Sequence, residues 1–139
     1  MNEKMILIIE DDELNQKLVK EILRVGNYKA IEALDAETGI ELARRHKPDL
    51  ILMDIHLPKM DGFSATKLIK SDEDLKQIPI VALTALAMPD DREKAREAGC
   101  DGYVTKPFRF QDLLKTINRL LDSSDRDNIK RNMKGAQGS

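Results

Sequence analysis

The sequence is poor in several residue types that mark particular protein classes. Its 139 residues include no tryptophan, three phenylalanines, two tyrosines and one cysteine. Because Cys100 stands alone, no intrachain disulfide can form, which excludes the disulfide-stapled scaffolds of small secreted proteins. The sequence also has no large excess of either charge, since it contains 23 basic and 25 acidic residues and has a net charge of −2. This balance gives no general electrostatic reason to bind nucleic acid or an anionic membrane.

Long hydrophobic runs are absent as well. The first apolar run, Met5 to Ile9, holds five residues before Glu10 and Asp11. It is too short for a membrane span and too soon followed by charge for a signal peptide. We therefore expect a soluble, cytosolic protein that neither inserts into a membrane nor contacts nucleic acid directly.

Length and composition predict one domain. A chain of this size can bury about two thirds of the surface that its unfolded form exposes, which is enough for one core. We expect this domain to span residues 1–122. The composition then turns polar, so residues 123–139 are expected to form a disordered tail or a linker remnant.

Short apolar runs alternate with segments of helical period along the chain. Uninterrupted apolar runs are typical of strands that are covered on both faces. The strand candidates are Met5–Ile9, Tyr28–Ala33, Leu50–Met53, Ile78–Leu83 and Tyr103–Val104. The helix candidates are Leu14–Val25, Ala36–Ala43, Phe63–Lys70, Pro89–Ala98 and Phe110–Leu121. Five strands alternating with five helices predict an α/β fold, a doubly wound, flavodoxin-like (βα)5 parallel sheet with strand order 2-1-3-4-5.

Asp54 occupies the most informative position in this pattern. It follows the apolar run Leu50–Met53, at the place where the third strand should end. Pro58 cannot supply a ladder N–H, and Asp61-Gly62 marks a turn, so the chain must reverse toward a helix. An aspartate at the carboxyl end of a parallel strand lies at the edge where open α/β sheets bind ligands.

Four other polar residues end strands at the same edge. Glu10 and Asp11 follow the first strand, Thr84 follows the fourth and Lys106 follows the fifth. With the predicted strand order, the three carboxylates of Glu10, Asp11 and Asp54 converge at the switch point between the first and third strands.

This set of side chains suits phosphoryl transfer. Clustered carboxylates repel one another and recruit a cation, and hard oxygen ligands in an open site suit Mg²⁺. A carboxylate can also attack phosphorus to form an aspartyl phosphate. We therefore assign Asp54 as the nucleophile and Glu10 with Asp11 as metal ligands. Lys106 would neutralise a phosphoryl oxygen, and the Thr84 hydroxyl would donate to another.

Each residue taken singly has a plainer interpretation. Residues 10–12 could cap the following helix, and Asp54 could be a turn residue. Thr84 could bond backbone at a strand end, and Lys106 could be a solvated surface charge. Their convergence on one edge favours the functional interpretation.

The sequence resembles the receiver domain of two-component response regulators, the CheY-like superfamily. The likeness covers about residues 4–122, and four motifs in order on alternating elements make it specific. The motifs are Glu10-Asp11-Asp12, the Leu52–Gly62 loop around Asp54, Leu83-Thr84-Ala85, and Tyr103-Val104-Thr105-Lys106-Pro107-Phe108. Residues 10–15 bring the chain closest to the DivK-like regulators and hybrid-kinase receivers. No output module follows these motifs, so we expect a single-domain regulator.

The resemblance implies a phosphoacceptor at Asp54. The phosphoryl group would come from a phosphohistidine on a sensor histidine kinase or a histidine phosphotransfer protein. Mg²⁺ would be held by Glu10, Asp11, Asp54 and the backbone carbonyl of His56. The domain would assist its own phosphorylation and dephosphorylation rather than act as a turnover enzyme.

The resemblance also implies a conformational output. Thr84 and Tyr103 would rearrange on phosphorylation and alter the face built from the fourth helix, fifth strand and fifth helix, which would bind a downstream protein. Glu10, where many members carry Asp, and Leu86, where others carry a polar group, depart from the commoner pattern. These departures bear on the lifetime of the phosphorylated form.

Two other functions use the same kind of fold or chemistry. A haloacid dehalogenase-like phosphatase needs a second Asp two residues after the nucleophile, and here that residue is His56, which we interpret as an exposed loop residue. A flavodoxin-like cofactor protein would carry a phosphate-cradling loop after the first strand, where this chain has acids that repel phosphate. Both alternatives are disfavoured.

Overall fold

The computed structural model describes residues 3–84, 90–106 and 109–122. Strands and helices alternate through these residues. In chain order they are β1 Met5–Ile9, α1 Glu13–Val25, β2 Lys29–Ala33, α2 Ala36–His46, β3 Leu50–Asp54, α3 Gly62–Ser71, β4 Ile80–Thr84, α4 Asp91–Ala98, β5 Gly102–Thr105 and α5, residues 110–122.

The sheet has the predicted topology. Its order is β2-β1-β3-β4-β5, and all neighbouring strands run parallel. The α/β architecture expected from the sequence is therefore confirmed. Because β1 and β3 are neighbours, the chain changes direction between them, and their carboxyl ends border the crevice where such sheets bind ligands.

Helices cover both faces of the sheet. In β1 the side chains of Ile6 and Ile8 lie in the cluster with α1 and α5, whereas Leu7 and Ile9 lie in the cluster with α2 and α3. This alternation follows from the period of two along a strand. The strands β1, β3 and β4 are almost wholly buried, which is the environment that their uninterrupted apolar runs predict.

Aspartates begin three of the helices. Asp12, Asp35 and Asp61 each accept hydrogen bonds from backbone N–H groups in the first turn of α1, α2 and α3. Such caps satisfy donors that have no partner within the helix. The interpretation of residues 10–12 as a helix cap is thus right for Asp12, whereas the side chains of Glu10 and Asp11 point elsewhere.

Helix α1 forms as predicted, and only one of its two apolar sides is buried. Leu14, Leu18 and Val25 are 77%, 51% and 53% exposed. The buried residues are Gln16, Val19, Ile22 and Leu23. The helix therefore carries a second apolar stripe that no described element covers.

Smaller differences concern the later elements. β4 begins at Ile80 rather than Ile78 and includes Thr84. On α5, Phe110 is 41% exposed, while Leu113 and Ile117 are fully buried. Cys100 is partly buried.

Some predictions lie outside the described residues. These are the helix start at Pro89, the motif residues Ala85, Pro107 and Phe108, the departure at Leu86 and the polar tail from residue 123 onward, and they stay predictions. Within residues 3–84, 90–106 and 109–122, no helix has both the length and the apolar character needed to cross a membrane.

Candidate metal centre

Three carboxylates meet at the carboxyl edge of the sheet. Glu10 directly follows β1, and Asp54 is the last residue of β3, so the parallel pairing of these strands brings both acids to one end. Oxygen atoms of Glu10, Asp11 and Asp54 lie within 4.8 Å of one another. Glu10 is 0% exposed and Asp54 is 5% exposed, whereas Asp11 faces solvent. The predicted convergence of these acids is therefore present in the structure.

Glu10 is the most perturbed acid of the group. Burial, together with the neighbouring Asp54, raises the pKa of Glu10 to about 8, although Lys106 opposes the shift. The Lys106 ammonium donates a hydrogen bond to Oε1 of Glu10. No described donor reaches Oε2. Because a buried carboxylate oxygen without a partner is costly, Oε2 needs either a proton shared with Asp54 or a cation.

Asp54 is perturbed in the opposite direction. Burial disfavours its charge, but hydrogen bonds from the Glu10 carboxyl and from the His56 backbone N–H, with Lys106 nearby, hold the pKa of Asp54 below its ordinary value. The His56 nitrogen lies 2.9 Å from Oδ1 of Asp54, and Lys106 Nζ lies 3.6 Å from Oδ2. Of the two neighbouring carboxyls, Glu10 is therefore the one that holds a proton more readily.

The residues present fit a divalent cation with oxygen ligands. They supply three carboxylates in reach of one another, one of them with an oxygen that no described donor satisfies. One carboxylate faces solvent, which leaves room for the water ligands that Mg²⁺ keeps. A bound cation would displace the proton from Glu10 and remove the cost of burying that carboxylate.

Thr84 and Lys106 complete the edge. Thr84 ends β4 and is 0% exposed. The β4–β5 register pairs Thr84 with Thr105, which places Lys106 beside the carboxylates at the next position. The side chain of Lys106 is only 11% exposed, so it is not the solvated surface charge of the plainer interpretation.

Tyr103 lies apart from the carboxylates. Its ring packs against a small cluster with Ile55, Ala82 and Ala95, and the guanidinium of Arg92 sits 5.1 Å from the ring centroid. This position is on β5, next to α4. The structure therefore brings together every predicted site residue except Tyr103.

Two polar residues near the edge were missed by sequence reasoning. Asp91, the first residue of α4, is only 4% exposed, and its Oδ2 lies 3.9 Å from Nε2 of His56. Gln16 is buried and donates through Nε2 to the carbonyl of Ala33 at 2.9 Å and to that of Glu10 at 3.4 Å. The spacing of Gln16 with Val19 and Leu23 could have shown its burial, whereas nothing local sets Asp91 apart from the other charges of α4.

His56 is half exposed, as expected of a loop residue, but it is not an isolated one. Its side chain is 46% exposed, and Nε2 lies 3.1 Å from the hydroxyl oxygen of Thr84. The residue therefore contacts Asp54 through its backbone and Thr84 through its ring.

Comparisons with known proteins point to one family. The family model described as response regulator receiver domain matches residues 6–118. The polar-differentiation response regulator DivK of Brucella anthropi is 42% identical over 118 residues, which are 85% of this chain and 96% of that protein. Its counterpart in Brucella ovis shows the same identity and coverage.

Solved structures share the fold. The receiver domain of a Pseudomonas aeruginosa sensor histidine kinase, with a magnesium ion coordinated in its active-site cleft, is 36% identical with a TM-score of 0.81, covering 87% of this chain and 99% of that one. A CheY-like receiver domain protein of Methanospirillum hungatei is 28% identical with a TM-score of 0.84, covering 91% and 99%. Given the family match, the curated relatives and the acidic cluster at the expected edge, the chain belongs to the response regulator receiver domain family of two-component systems.

Proposed function

We propose that this receiver domain takes a phosphoryl group onto Asp54 from a phosphohistidine of a sensor histidine kinase or histidine phosphotransfer protein. The reaction depends on Mg²⁺, and the product signals through altered contacts with a downstream protein. The observation that carries the proposal is the position of Asp54 at the edge of the sheet, where it is grouped with Glu10 and Asp11 and flanked by Lys106.

The transfer needs little proton chemistry at Asp54. A carboxylate oxygen of Asp54 forms a bond to phosphorus while the phosphorus–nitrogen bond of the donor breaks, and the electron pair leaves with the donor imidazole, which takes up a proton. Because the pKa of Asp54 is lowered, its carboxylate is ready without a general base. The main demands are positioning and neutralisation of charge.

Glu10, Asp11, Asp54 and the backbone carbonyl of His56 would hold the Mg²⁺ ion. When bound, the ion supplies positive charge that offsets the negative oxygens of the phosphoryl group. Lys106, which pairs with Glu10 here, is close enough to Asp54 to meet a phosphoryl oxygen. The buried Thr84 hydroxyl would donate to another oxygen.

The uncovered stripe of α1 suits the phosphodonor. The stripe begins at Leu14, two residues beyond Asp12, the cap that follows the metal ligands, so it starts beside the site. With Val25 it occupies one side of the helix, because residues 14, 18 and 25 return to nearly the same angle at 3.6 residues per turn. An apolar helix of the donor could pack along this stripe while its phosphohistidine reaches Asp54.

The downstream contact is assigned to the face of α4, β5 and α5. Helix α4 buries few apolar side chains, Ala95 and Ala98, so its position costs little to change. Tyr103 lies on this face in contact with α4. These features support Thr84 and Tyr103 as the residues that rearrange.

We assign the domain as a phosphoacceptor and not as a phosphatase that turns over substrate. A haloacid dehalogenase-like phosphatase would place an aspartate at the position of His56. Here the imidazole at that position contacts Thr84. His56 therefore does not supply the carboxylic acid that would act as the acid and base of a hydrolytic cycle.

Intact-mass measurement tests the proposal. A small phosphodonor such as acetyl phosphate should add one phosphoryl group to the protein in the presence of Mg²⁺, and chelation of the metal should prevent it. Asp54→Asn should abolish the addition. The control is Asp112→Asn, because Asp112 is an exposed aspartate on α5, and this variant should be labelled like the wild type. Labelling that persists in Asp54→Asn, or that ignores the metal, refutes the assignment.

A further inference from the structure

Gln16 is a buried amide near the start of α1. It is 6% exposed and lies on the covered side of the helix, together with Val19 and Leu23. Its Nε2 donates to the carbonyl of Ala33 at 2.9 Å and to the carbonyl of Glu10 at 3.4 Å. Because carbonyl oxygens only accept hydrogen bonds, the amide nitrogen and not the amide oxygen must face them. The two hydrogens of this nitrogen therefore join the helix to the ends of β1 and β2.

The same group of bonds fixes the backbone of Glu10. Its N–H donates to the carbonyl of Ala33 at 3.1 Å, and its carbonyl accepts from Gln16. Since Ala33 accepts from both residues, one carbonyl at the end of β2 connects the Glu10 backbone with the Gln16 side chain. The bond from Gln16 to Glu10 is the longer and weaker of its two, and the shorter bond to Ala33 holds the amide in place. Both backbone polar groups of Glu10 thus have partners.

These contacts lie where strand pairing stops. β1 pairs with β3 as far as Ile9 and Met53, so Glu10 lies one residue past the end of that pairing. Asp54, the proposed phosphoacceptor, is the last residue of β3. The distance between the carboxylates of Glu10 and Asp54 therefore depends on how the chain continues beyond β1, and Gln16 bonds the first residue of this continuation.

Glu10 has little freedom to adjust its side chain. It is 0% exposed, and a side chain in a close-packed interior cannot compensate for a backbone shift by changing rotamer. A shift of the backbone at Glu10 would therefore move the carboxylate itself, and Asp11 would move with it. Because Mg²⁺ demands a nearly octahedral arrangement of its ligands, such a shift would weaken its binding.

The helix anchors Gln16 in turn. The side chain of Asp12 caps the first turn of α1, and the backbone N–H of Gln16 donates to the carbonyl of Asp12 at 2.9 Å. The loop of residues 10–12 is therefore bonded to Gln16 at both ends, through the side chain at Glu10 and through the backbone at Asp12. Any residue other than proline can make the backbone bond, whereas the bond to Glu10 needs a side-chain donor at this position.

We propose that Gln16 is a positioning residue for the magnesium site. It holds the backbone of Glu10 so that the carboxylates of Glu10 and Asp11 meet the ion with little rearrangement. This proposal rests on the proposed function, because the ion is the Mg²⁺ of that site. Gln16 acts through Glu10 and not on the ion, since an amide N–H donates a hydrogen bond and is not a ligand for a cation.

Titration calorimetry of the full chain with Mg²⁺ tests this role. Gln16→Met keeps the approximate length of the side chain and removes its donors. The dissociation constant for Mg²⁺ should rise by about threefold to tenfold, the factor expected for one lost hydrogen bond, because the ion must then order the Glu10 backbone itself. Gln16→Ala also lacks the donors and should raise the constant at least as much.

Labelling of Asp54 by acetyl phosphate gives a second measurement. In Gln16→Met the Mg²⁺ concentration that gives half of the maximal rate should rise by the same factor as the dissociation constant. The rate at saturating Mg²⁺ should equal that of the wild type, because the bound ion restores the arrangement of its ligands. A general loss of structure would instead lower the rate at saturating Mg²⁺ as well.

Val19→Ala is the matched control. Val19 is 0% exposed and lies three residues beyond Gln16 on the same buried side of α1, but its side chain is apolar. The variant should lower the midpoint of urea unfolding, because it leaves a cavity in the core. Its dissociation constant for Mg²⁺ should match that of the wild type.

Two results would overturn the positioning role. They are an unchanged Mg²⁺ dissociation constant in Gln16→Met, and a rise in Val19→Ala equal to that in Gln16→Met. Failure of the proposed function is distinguishable, because the titration involves no phosphoryl transfer. If the wild type binds Mg²⁺ and Asp54 is not labelled, the phosphoacceptor assignment fails, while the titrations still decide the role of Gln16. If the wild type binds no Mg²⁺, the positioning role fails together with the metal site.

Discussion

Lys106 donates its hydrogen bond to Glu10 rather than to Asp54. Its Nζ contacts Oε1 of Glu10 and lies 3.6 Å from Oδ2 of Asp54. The ammonium group thereby supplies positive charge to a buried carboxylate whose pKa is raised to about 8. In this arrangement lysine and a metal ion would compete for the same carboxylate, since each neutralises Glu10.

The first prediction follows from this competition. Lys106→Met keeps the length of the side chain and removes its charge, so Mg²⁺ should bind more tightly, by about threefold to tenfold, because a nearby positive charge is gone. Phosphorylation by acetyl phosphate should slow in the same variant, because Lys106 no longer meets the phosphoryl oxygen. Calorimetric titration and labelling rates measure the two effects.

The control for Lys106 is Lys94→Met, an exposed lysine on α4. Both quantities should match the wild type in that variant. A parallel loss of metal affinity and labelling rate in Lys106→Met would contradict the assignment of this lysine to the phosphoryl group.

The second prediction concerns the α1 stripe. Leu18→Glu should reduce phosphoryl transfer from a phosphohistidine-bearing donor protein about tenfold or more, because a charge would enter an apolar interface. Labelling by acetyl phosphate gives the reference rate, since a small donor needs no docking surface. Transfer is followed by loss of label from the donor.

Leu68→Glu is the matched control for α1. Leu68 is 50% exposed on α3, close to the exposure of Leu18, but it lies outside the stripe. Equal losses of transfer in the two variants would indicate a general effect of surface charge and not a docking site on α1.

The third prediction is that the stability of the protein depends on pH through the Cys100 thiol. Burial raises the pKa of this thiol to about 11 from 9.0. Above pH 9 the unfolded chain loses the proton while the folded protein keeps it, so the free energy of unfolding falls as pH rises through the interval from 9 to 11. The contribution is of the order of 1 kcal/mol for a partly buried thiol.

Urea unfolding at pH 8 and pH 10.5 measures the effect of Cys100. Cys100→Ala loses some packing at both pH values, but its decline with pH should be smaller than that of the wild type. The native thiol should also react slowly with iodoacetamide at pH 8, because the thiolate is the reactive form. Identical pH slopes in the two proteins would rule out the predicted linkage.

The fourth prediction concerns Lys70, which ties α3 to the start of β4. Its Nζ donates to the carbonyl of Ile78 at 2.8 Å and to Oδ2 of Asp101 at 3.0 Å. Asp101 in turn accepts from the backbone N–H of Ile80 at 2.9 Å. Lys70→Met should lower the free energy of unfolding by about 1–3 kcal/mol, because the partly buried carbonyl of Ile78 loses its donor.

Chemical denaturation measures the loss at Lys70. The control is Lys67→Met on the same helix, where the lysine is exposed and the change should stay within about 0.5 kcal/mol. A loss of the same size at both positions would assign the effect to the altered charge of α3 and not to the bonds of Lys70.

Much of the site could be predicted because it depends on local sequence and on strand ends. Apolar runs followed by Glu10, Asp54 and Thr84 predict strands that end in polar groups. Parallel strands then bring their carboxyl ends to one edge of the sheet, whatever the details of packing. The grouping of the carboxylates therefore needs little more than the correct strand order.

The buried face of α1 could not be predicted by spacing alone. The helix carries apolar residues on two sides, and Leu14, Leu18 and Val25 fit a helical stripe as well as Val19, Ile22 and Leu23 do. Helical period shows that a stripe exists, but the position of β1 and α5 determines which stripe is covered. Polar Gln16 lies on the buried side because carbonyls of the sheet edge accept its amide hydrogens.

By itself the sequence determined the α/β alternation, the strand ends and the identity of the acids at the edge, since these follow from short-range patterns along the chain. Only the tertiary structure decided that Lys106 pairs with Glu10, that Asp91 is buried and that His56 contacts Thr84. These relationships join residues far apart in the sequence, and the pKa of Glu10 depends on complete burial, which exists only once both faces of the sheet are covered.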